Sequence, residues 1–340
     1  MAQPFSTEDT TGSKLQYLLS TYYDKLLLET LYPQTHLYQV CQKRPIPSGE
    51  GKIVKFSRYT ALDTPGAALS EGAAPTPVAL SAVNVTATME QFGATRQISD
   101  LLQWTAISQV VQDAVFHNAK QAAITIDTHI RDTAIFGTSG DAPSSTDKIV
   151  AGPGGQAARN ALQMRLVSDR LTVSGVVGTD VMTAAEVNRI LRDLRKRNAP
   201  TFSDGCYVMV CHPQVVSDLM GDATAVTSWA AWNEYTTPEA MYKGEVGKVF
   251  GFRILQSTNM HFFSSGAGAS TSAYCSIAVG PDALGCVEIG GKGGVETHIV
   301  TGADHANPLD QWTSVGWKAS FTSVVLNPSC GLISVVGAAV

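Results

Sequence analysis

The chain has 340 residues and a mass of 36.0 kDa, long enough for a large hydrophobic core and about two domains. Charged residues make up only 16% of it, below the roughly 25% of an average soluble protein. We therefore expect part of the surface to be covered by other molecules. The formal net charge of −5 argues against a protein that grips a nucleic-acid backbone, because such binding depends on lysines and arginines that displace counterions.

No targeting or membrane segment is predicted. The first residues lack a basic start and an apolar run, and no stretch of about 18 uncharged apolar residues follows. The chain is therefore expected to stay in the cytosol in which it is made. Its cysteines show no CxxC spacing, so we expect reduced, mostly buried thiols instead of a zinc site or a redox motif. These are Cys41, Cys206, Cys211, Cys275, Cys286 and Cys330.

The N-terminal region reads as a helix followed by an extended arm. Apolar residues at spacings of three, four and seven predict a helix over Ser13–Leu31, which Pro33 ends. The prolines within Lys43–Gly49 favour extended backbone. This segment is typical of an arm laid across another surface.

A long hairpin is predicted next. Lys52–Thr60 is rich in β-forming residues, and Val83–Phe92 alternates between apolar and polar side chains. The connection Ala61–Ala82 is rich in Gly, Ala and Pro and forms an irregular tip. A two-stranded hairpin is marginally stable in water, so this one should bury a face against a partner. The apolar face consists of Val83, Val85, Ala87 and Met89.

One long helix is predicted after the hairpin. Ser99 is its N-cap, a helical apolar stripe continues to about Phe136, and Gly137 ends it. Such a helix would be roughly 55 Å long at 1.5 Å per residue.

The rest of the chain alternates helices and strands and then becomes mostly strand. The region 137–178 is rich in loops, with a short helix near Gln156–Met164. A helix between Thr183 and Pro200 and a buried strand Tyr207–Cys211 indicate an α/β lobe. His212-Pro213 opens another short helix. Six further strands are predicted over Phe252–Gln256, Tyr274–Val279, Cys286–Ile289, Val295–Val300, Thr313–Leu326 and Leu332–Val336.

The sequence nominates no catalytic, cofactor-binding or metal-binding residue. The cluster Gly290–Gly294 fails as a phosphate loop, because Cys286 and Gly293 occupy the positions that need a glycine and a Ser or Thr. We interpret it as a tight turn. Histidines and carboxylates lack a recurrent ligand spacing and are expected to be surface polar groups or packed imidazoles. These residues are His117, His129, His212, His298, Asp304 and His305.

One basic run could contact nucleic acid. Because Glu186 and Asp193 interleave with it, we favour a solvated or intersubunit helix face. The run consists of Arg189, Arg192, Arg195, Lys196 and Arg197.

Several phrases together resemble the major capsid proteins of tailed bacteriophages and prophages, which adopt the HK97-type fold. They occur in family order along nearly the whole chain. The phrases are Tyr22-Tyr23-Asp24-Lys25, Gln42-Lys43-Arg44-Pro45-Ile46-Pro47, Phe92-Gly93, Ile98-Ser99-Asp100, Asn307-Pro308-Leu309-Asp310-Gln311 and Gly316-Trp317-Lys318.

The resemblance implies an α+β architecture of the HK97 type. It would contain an N-terminal arm, an extended β-hairpin loop over a neighbouring subunit, a peripheral domain with a long spine helix, and an axial α/β domain. The expected bounds are 1–48 for the arm, 49–95 for the loop, 96–158 for the peripheral domain with its spine helix, 159–290 for the axial domain, and 291–340 for C-terminal strands that complete the peripheral domain.

The resemblance also implies partners. The chain would associate with itself in pentamers and hexamers, with a separate scaffolding protein because the region before the hairpin is too short to hold one, with a portal protein, and with decoration proteins as possible additions. Packaged double-stranded DNA would be contacted non-specifically, and no membrane is involved. Shells would assemble in the host cytoplasm and become part of the virion. The tip Ala61–Ala82 lacks the lysine with which some relatives cross-link their subunits.

Three alternatives stay open at this point. A bacterial nanocompartment shell would share the fold but assemble without scaffold around a cargo peptide. A cytosolic enzyme would hold its active site in the lobe Arg159–Gly290, and a DNA-binding protein would use the run Arg189–Arg197. The capsid interpretation depends on one physical expectation, that the first third of the chain cannot cover its apolar faces by itself.

Overall fold

The computed structural model describes residues 36–47, 51–60, 62, 72, 77–106, 109–137, 161–167, 173–222, 245–263, 272–289, 295–303 and 307–338. Its α-helices are α1 (Leu37–Val40), α2 (Asp100–Thr105), α3 (Val110–Phe136), α4 (Ala184–Lys196) and α5 (Pro213–Gly221). Its strands are β1 (Gln42–Ile46), β2 (Ile53–Tyr59), β3 (Ala82–Thr88), β4 (Glu90–Ser99), β5 (Gln163–Leu166), β6 (Tyr207–Cys211), β7 (Glu245–Val249), β8 (Phe252–Gln256), β9 (Phe262–Phe263), β10 (Ala273–Val279), β11 (Leu284–Ile289), β12 (Val295–Val300), β13 (Trp312–Val325) and β14 (Gly331–Gly337). The predicted helix Ser13–Leu31, most of the hairpin tip and of 137–178, and the cluster Gly290–Gly294 lie outside the described residues.

The first sheet is organised around β13. Its order is β1-β11-β13-β12, and β4 pairs with β13 as well. Alternate β13 side chains are buried because α3 lies across that face of the sheet. Two hydrogen bonds fix α3 there: Asn118 Nδ2 donates to Val315 O (3.2 Å), and Trp317 Nε1 donates to Gln121 Oε1 (3.3 Å).

The second sheet forms the predicted α/β lobe. Its order is β5-β14-β10-β6-β8-β7, with β9 paired to β10. Strands β6 and β14 are buried along their whole length, and as expected for strands covered on both faces they are nearly continuous apolar runs. Helix α4 buries Val187, Ile190 and Leu194 and packs against β14. Thr183 caps it as predicted, since its side chain accepts from the Glu186 N–H.

The predicted single helix from Ser99 to Phe136 is wrong. Ser99 does cap a helix, with its Oγ accepting from Leu102 N–H at 3.3 Å, but α2 ends at Thr105, and Ala106 after it has an extended backbone. After the break, Ala114 of α3 packs with Ile98 of β4 and Val315 of β13. The predicted end at Gly137 is confirmed, because its φ is 91° and its N–H donates to Thr133 O.

Two strands lie in a different sheet from the one that the expected domain bounds imply. Strand β11, within the expected axial domain, pairs with β1 and β13 in the first sheet. Strand β14, expected among the strands that complete the peripheral domain, pairs with β10 and β5 in the second sheet. The reason is that alternation and β propensity reveal a strand but not its partner.

The short helix predicted near Gln156–Met164 does not continue to its predicted end, because Gln163 and Met164 belong to β5. Strand β6 and helix α5 occur where they were predicted. Within the described part of the chain, no helix combines the length and the apolar composition needed to cross a membrane.

Candidate assembly surface

The hairpin is confirmed, and its inner face is covered by its own subunit. Strands β2 and β3 pair antiparallel from Ile53↔Thr88 to Tyr59↔Ala82. Their inner face forms a cluster with the first sheet. The expectation that this face cannot be satisfied within one subunit is therefore wrong for the base of the hairpin. The buried residues of this cluster are Ile46, Val85, Ala87, Met89, Val287 and Val324.

A polar contact extends this packing toward the outer end of the hairpin. Arg58 Nη1 donates a hydrogen bond to Asn327 Oδ1, just beyond the end of β13. The hairpin therefore packs against its own subunit at Val324–Asn327, the C-terminal end of β13.

The outer part of the hairpin stays uncovered. Tyr59 is 73% exposed and Val78 82% exposed, although both are large apolar side chains. We call the exposed apolar residues here the outer hairpin surface. Charges of both signs lie near it along the chain, because the tip that joins the two strands contains Asp63 and Glu71. The apolar members are Ile53, Tyr59, Leu62, Val78, Leu80 and Val83, and the basic neighbours are Lys52, Lys55 and Arg58.

A second uncovered apolar surface lies around α2. Asp100 N–H donates to Gln311 O (3.0 Å), which brings α2 beside the turn that carries Leu309. Trp104 is 78% exposed and Leu309 77% exposed. We call Leu101, Leu102, Trp104 and Leu309 the α2 patch. Leu101 and Leu102 fall within the apolar stripe predicted for one long helix, and in the structure both are exposed.

The end of the N-terminal arm is anchored in the core of the subunit. Asp127 of α3 accepts from Leu37 N–H at Oδ1 (2.9 Å) and from Asn259 Nδ2 at Oδ2 (3.3 Å). His36 Nε2 donates to Gln256 O at the end of β8 (3.0 Å). Burial raises the pKa of Asp127 and lowers that of His36. Residues 36–46, within the expected arm 1–48, thus belong to the body of the subunit.

Contacts between Tyr38 and strand β11 hold the same segment in place. Tyr38 donates its hydroxyl hydrogen to Glu288 Oε1, and Lys43 Nζ lies 4.0 Å from the centre of the Tyr38 ring. Burial, with the adjacent Glu288 carboxylate, raises the pKa of Tyr38. Strand β1 then pairs in parallel with β11 from Gln42↔Gly285 to Ile46↔Ile289. Lys43–Pro47 is therefore extended as predicted. Its strand pairs with a strand of its own subunit, however, and does not lie across another one.

The histidines serve as packed or capping groups. His129 packs edge-on against Phe92 and Phe321, and its Nδ1 is hydrogen-bonded to Ser323 Oγ (2.9 Å). His212 caps α5 by accepting from Gln214 N–H (3.2 Å). His117 contacts Phe116, and His298 lies on an exposed strand with its Nε2 3.5 Å from Glu296.

The thiols and possible metal ligands offer no reactive centre in the described residues. All six cysteines are free and buried, as predicted, and burial raises the pKa of Cys211 and of Cys286 to about 12. Thiols of this kind stay protonated and unreactive near neutral pH. Among the described residues no three His, Cys, Asp or Glu side chains gather as a metal site. Asp304 and His305 lie outside those residues.

The basic run on α4 is partly neutralised. Glu186 and Asp193 both bind Arg165 of β5, at 2.9 Å and 2.8 Å, and they also pair with Arg189 and Arg192. The acidic residues predicted to alternate with this run thus form ion pairs with it. The run offers less free positive charge than its sequence suggests.

Comparison with known proteins decides the fold. No family model and no curated protein sequence matches the chain. Solved structures do match it: the capsid of Ralstonia phage GP4 aligns with a TM-score of 0.69 at 14% identity, over 99% of this chain and 98% of that one. The chain has a phage capsid fold. The capsid of cyanophage Pam1 aligns with a TM-score of 0.67 at 15% identity, over 97% and 99% of the two chains.

A third similar structure is the capsid of a phage that infects a different bacterium. The acid-stable capsid of Helicobacter pylori bacteriophage KHP30 aligns with a TM-score of 0.67 at 9% identity, over 98% of this chain and 100% of that one. The predicted HK97-type α+β fold is confirmed. At such identities the capsid fold is preserved by its pattern of packed elements, while few individual residues are shared.

Proposed function

We propose that this chain is the major capsid protein of a tailed phage or prophage, which associates into pentamers and hexamers that build an icosahedral shell around double-stranded DNA. The observation that carries this proposal is a subunit with a capsid fold whose outer hairpin surface and α2 patch are both uncovered. Exposed apolar surface of this kind marks sites of protein association. Obligate interfaces bury about 2,000 Å² or more, so a shell gains stability from many moderate contacts.

We also propose a division of the chain that follows its sheets. Residues 53–88 form the extended loop, and α3 with β1, β4, β11, β12 and β13 forms the peripheral domain. The axial domain consists of β5–β10 with β14, α4 and α5. Compared with the bounds expected from sequence, this division places β1, the first half of β4 and β11 in the peripheral domain and β14 in the axial domain.

The partners and location are proposed on the same basis. They are a separate scaffolding protein, a portal protein, decoration proteins and packaged DNA held without sequence preference, in a shell that assembles in the host cytoplasm and becomes part of the virion. The net charge of −5 supports loose contact with DNA, since a strongly basic wall would bind its phosphates. The reported structural neighbours are capsids, which supports a structural role over catalysis.

Electron microscopy tests the proposal. The full-length chain should be expressed alone and together with a candidate scaffolding protein, then purified and imaged. Closed shells that depend on the scaffold are expected. A protein that stays monomeric under every assembly condition would contradict the proposal, and shells that form alone around a cargo peptide would favour a nanocompartment.

A further inference from the structure

Strand β12 is a free edge of the first sheet. Among the described strands it pairs only with β13, in one unbroken register from Val295↔Ala319 to Val300↔Ser314. A free edge presents unpaired N–H and C=O groups to other chains, and proteins usually protect it with prolines, lysines or bulges. Strand β12 has the sequence Val-Glu-Thr-His-Ile-Val, without proline or lysine, and all its residues except Glu296 are exposed. The edge is therefore open to a further strand.

The side chains of β12 favour the addition of another strand. Four of its six residues are β-branched, the type that packs well in sheets. Ile299 is 51% exposed and Val300 55% exposed. Helix α3 packs against β13 and β4 and does not cover these side chains. Burial of this apolar area in a larger sheet would stabilise the contact.

The order of side chains along β12 is symmetric about Thr297. Val295 and Ile299 lie two residues to either side of it on the same face of the strand, whereas Glu296 and His298 are its immediate neighbours on the opposite face. If two copies of β12 pair antiparallel with Thr297 at the centre, Val295 lies opposite Ile299 of the second copy, and Glu296 lies opposite its His298. Both pairs occur twice. A carboxylate accepts a hydrogen bond from an imidazole and forms an ion pair with it once the imidazole is protonated.

The neighbouring symmetric registers are less favourable. With Glu296 at the centre, two carboxylates face each other, which is destabilising. With His298 at the centre, two imidazoles face each other and each Glu296 lies opposite the apolar Val300. Of these three registers, the one centred on Thr297 alone places apolar side chains opposite apolar ones and an acid opposite a base.

We infer that β12 pairs antiparallel with β12 of a second copy of this chain, with Thr297 at the centre, so that the first sheets of two subunits form one continuous sheet. The inference rests on the proposed function and names a surface outside the outer hairpin surface and the α2 patch. The contact is isologous, so each subunit makes it with one other copy. It therefore cannot close a ring of five or six subunits, and instead joins a subunit of one ring to a subunit of another.

Disulfide formation in assembled shells tests the inference with a single substitution. In the Thr297→Cys variant the two cysteines of a pair have Cα atoms about 4.5–5.5 Å apart, a distance that a disulfide bridges. Glu296→Cys is the matched control, because its two copies are offset by two residues and lie roughly 8 Å apart, beyond the disulfide limit of about 7 Å. After mild oxidation, non-reducing gel electrophoresis should show covalent dimers of the first variant and monomers of the second. The six native cysteines are buried, so background oxidation is low.

Failure of the inference and failure of the proposed function are distinguishable in this experiment. Thr297→Cys shells that yield no dimer would overturn the inference and leave the proposed function intact. Equal dimer yields from the two variants would overturn it as well, because they would reflect random collision. Absence of shells from the wild-type chain under every assembly condition would refute the proposed function itself.

A second test uses charge and applies when the cysteine variants do not assemble. In the Glu296→Lys variant the introduced lysine faces His298 of the second copy, and in the His298→Glu variant two carboxylates face each other. Each variant alone should raise the subunit concentration needed for half-assembly about twofold to tenfold at low salt. An equal mixture of both should assemble nearly like the wild type, because the introduced lysine then faces the introduced glutamate and His298 faces Glu296.

Rescue in the mixture depends on contact between copies. Glu296 and His298 of one chain are themselves 3.5 Å apart, and this internal pair is disrupted in each variant whether or not the two are mixed. A mixture that assembles no better than either variant alone would therefore contradict the pairing of β12 with β12.

Discussion

The Asp127 carboxylate accepts a hydrogen bond from the Leu37 amide at 2.9 Å, and this contact joins residues that are 90 positions apart. It ties the end of the N-terminal arm to the long helix α3. Asn259 holds the second carboxylate oxygen, so α1, α3 and the segment after β8 meet at one buried group.

Replacement of Asp127 by Ala should destabilise the subunit by about 1–3 kcal/mol, because it leaves the buried Leu37 amide without its acceptor. Asp127→Asn is the matched control, since it retains one oxygen acceptor and removes a charge that burial makes costly. Urea unfolding of both variants checks the difference, and proteolysis near residue 36 should be faster only in the Ala variant. An equal decrease in the free energy of unfolding in both variants would mean that the charge contributes more to stability than the hydrogen bond.

The stability of the unassembled subunit should fall as the pH drops below about 6.5. Burial lowers the pKa of four histidines, so the unfolded chain binds protons at these sites more tightly than the folded subunit. Stability is thus fully present above the unfolded pKa and is lost between that value and the lowered folded values. The raised pKa of Asp127 acts in the opposite direction at lower pH, above its unfolded value of about 3.9. The histidines are His36, His129, His212 and His261.

The variant His212→Asn isolates one of these sites. Asparagine can accept from Gln214 N–H as the N-cap of α5, so the cap is kept and the titration is removed. The free energy of unfolding, measured from pH 7.5 to 5.5, should depend less on pH in the variant than in the wild type. An unchanged slope would show that His212 does not contribute.

Deletion of residues 61–81 with an Asn-Gly turn in their place should leave the subunit folded but impair assembly. The last described strand pair, Tyr59↔Ala82, and the inner face of the hairpin stay intact. The free energy of unfolding should change by less than about 0.5 kcal/mol, while sedimentation shows loss of shells. Ala87→Asp is the contrasting variant, because it buries a charge in the hairpin's own cluster and should cost about 3 kcal/mol or more.

Gly337→Ala should destabilise the second sheet by about 3 kcal/mol. A Cβ atom at Gly337 would lie 2.2 Å from Val177 O, a backbone atom that cannot move without disturbing the 3₁₀ turn before it. Gly221→Ala at the end of α5 meets nothing within 4 Å and serves as the neutral control. Thermal unfolding compares the two, and similar midpoints would show that the end of β14 accommodates the added methyl group.

Sequence reasoning located most elements but not their neighbours. The cap at Ser99, the stop at Gly137 and the alternation of Val85 and Ala87 were readable because each depends on a few adjacent residues. The break at Ala106 was not, since it arises from packing of Ala114 against β4 and β13.

The candidate site was predicted in part for the same reason. An unsatisfied apolar surface on the hairpin was expected from sequence, whereas the α2 patch was not, because the exposure of Leu102 and Trp104 is seen only in the folded subunit. The anchor at Asp127 joins residues too distant in sequence for any spacing rule to connect.

The placement of β13 and β14 has a consequence for synthesis on the ribosome. Strand β13 pairs with three other strands of the first sheet, and β14 lies between β5 and β10 in the second. Neither sheet can close until residues 312–337 have emerged, so a nascent or prematurely terminated chain has no complete body to offer to its neighbours. The order in which the strands are translated therefore delays assembly until the subunit is complete.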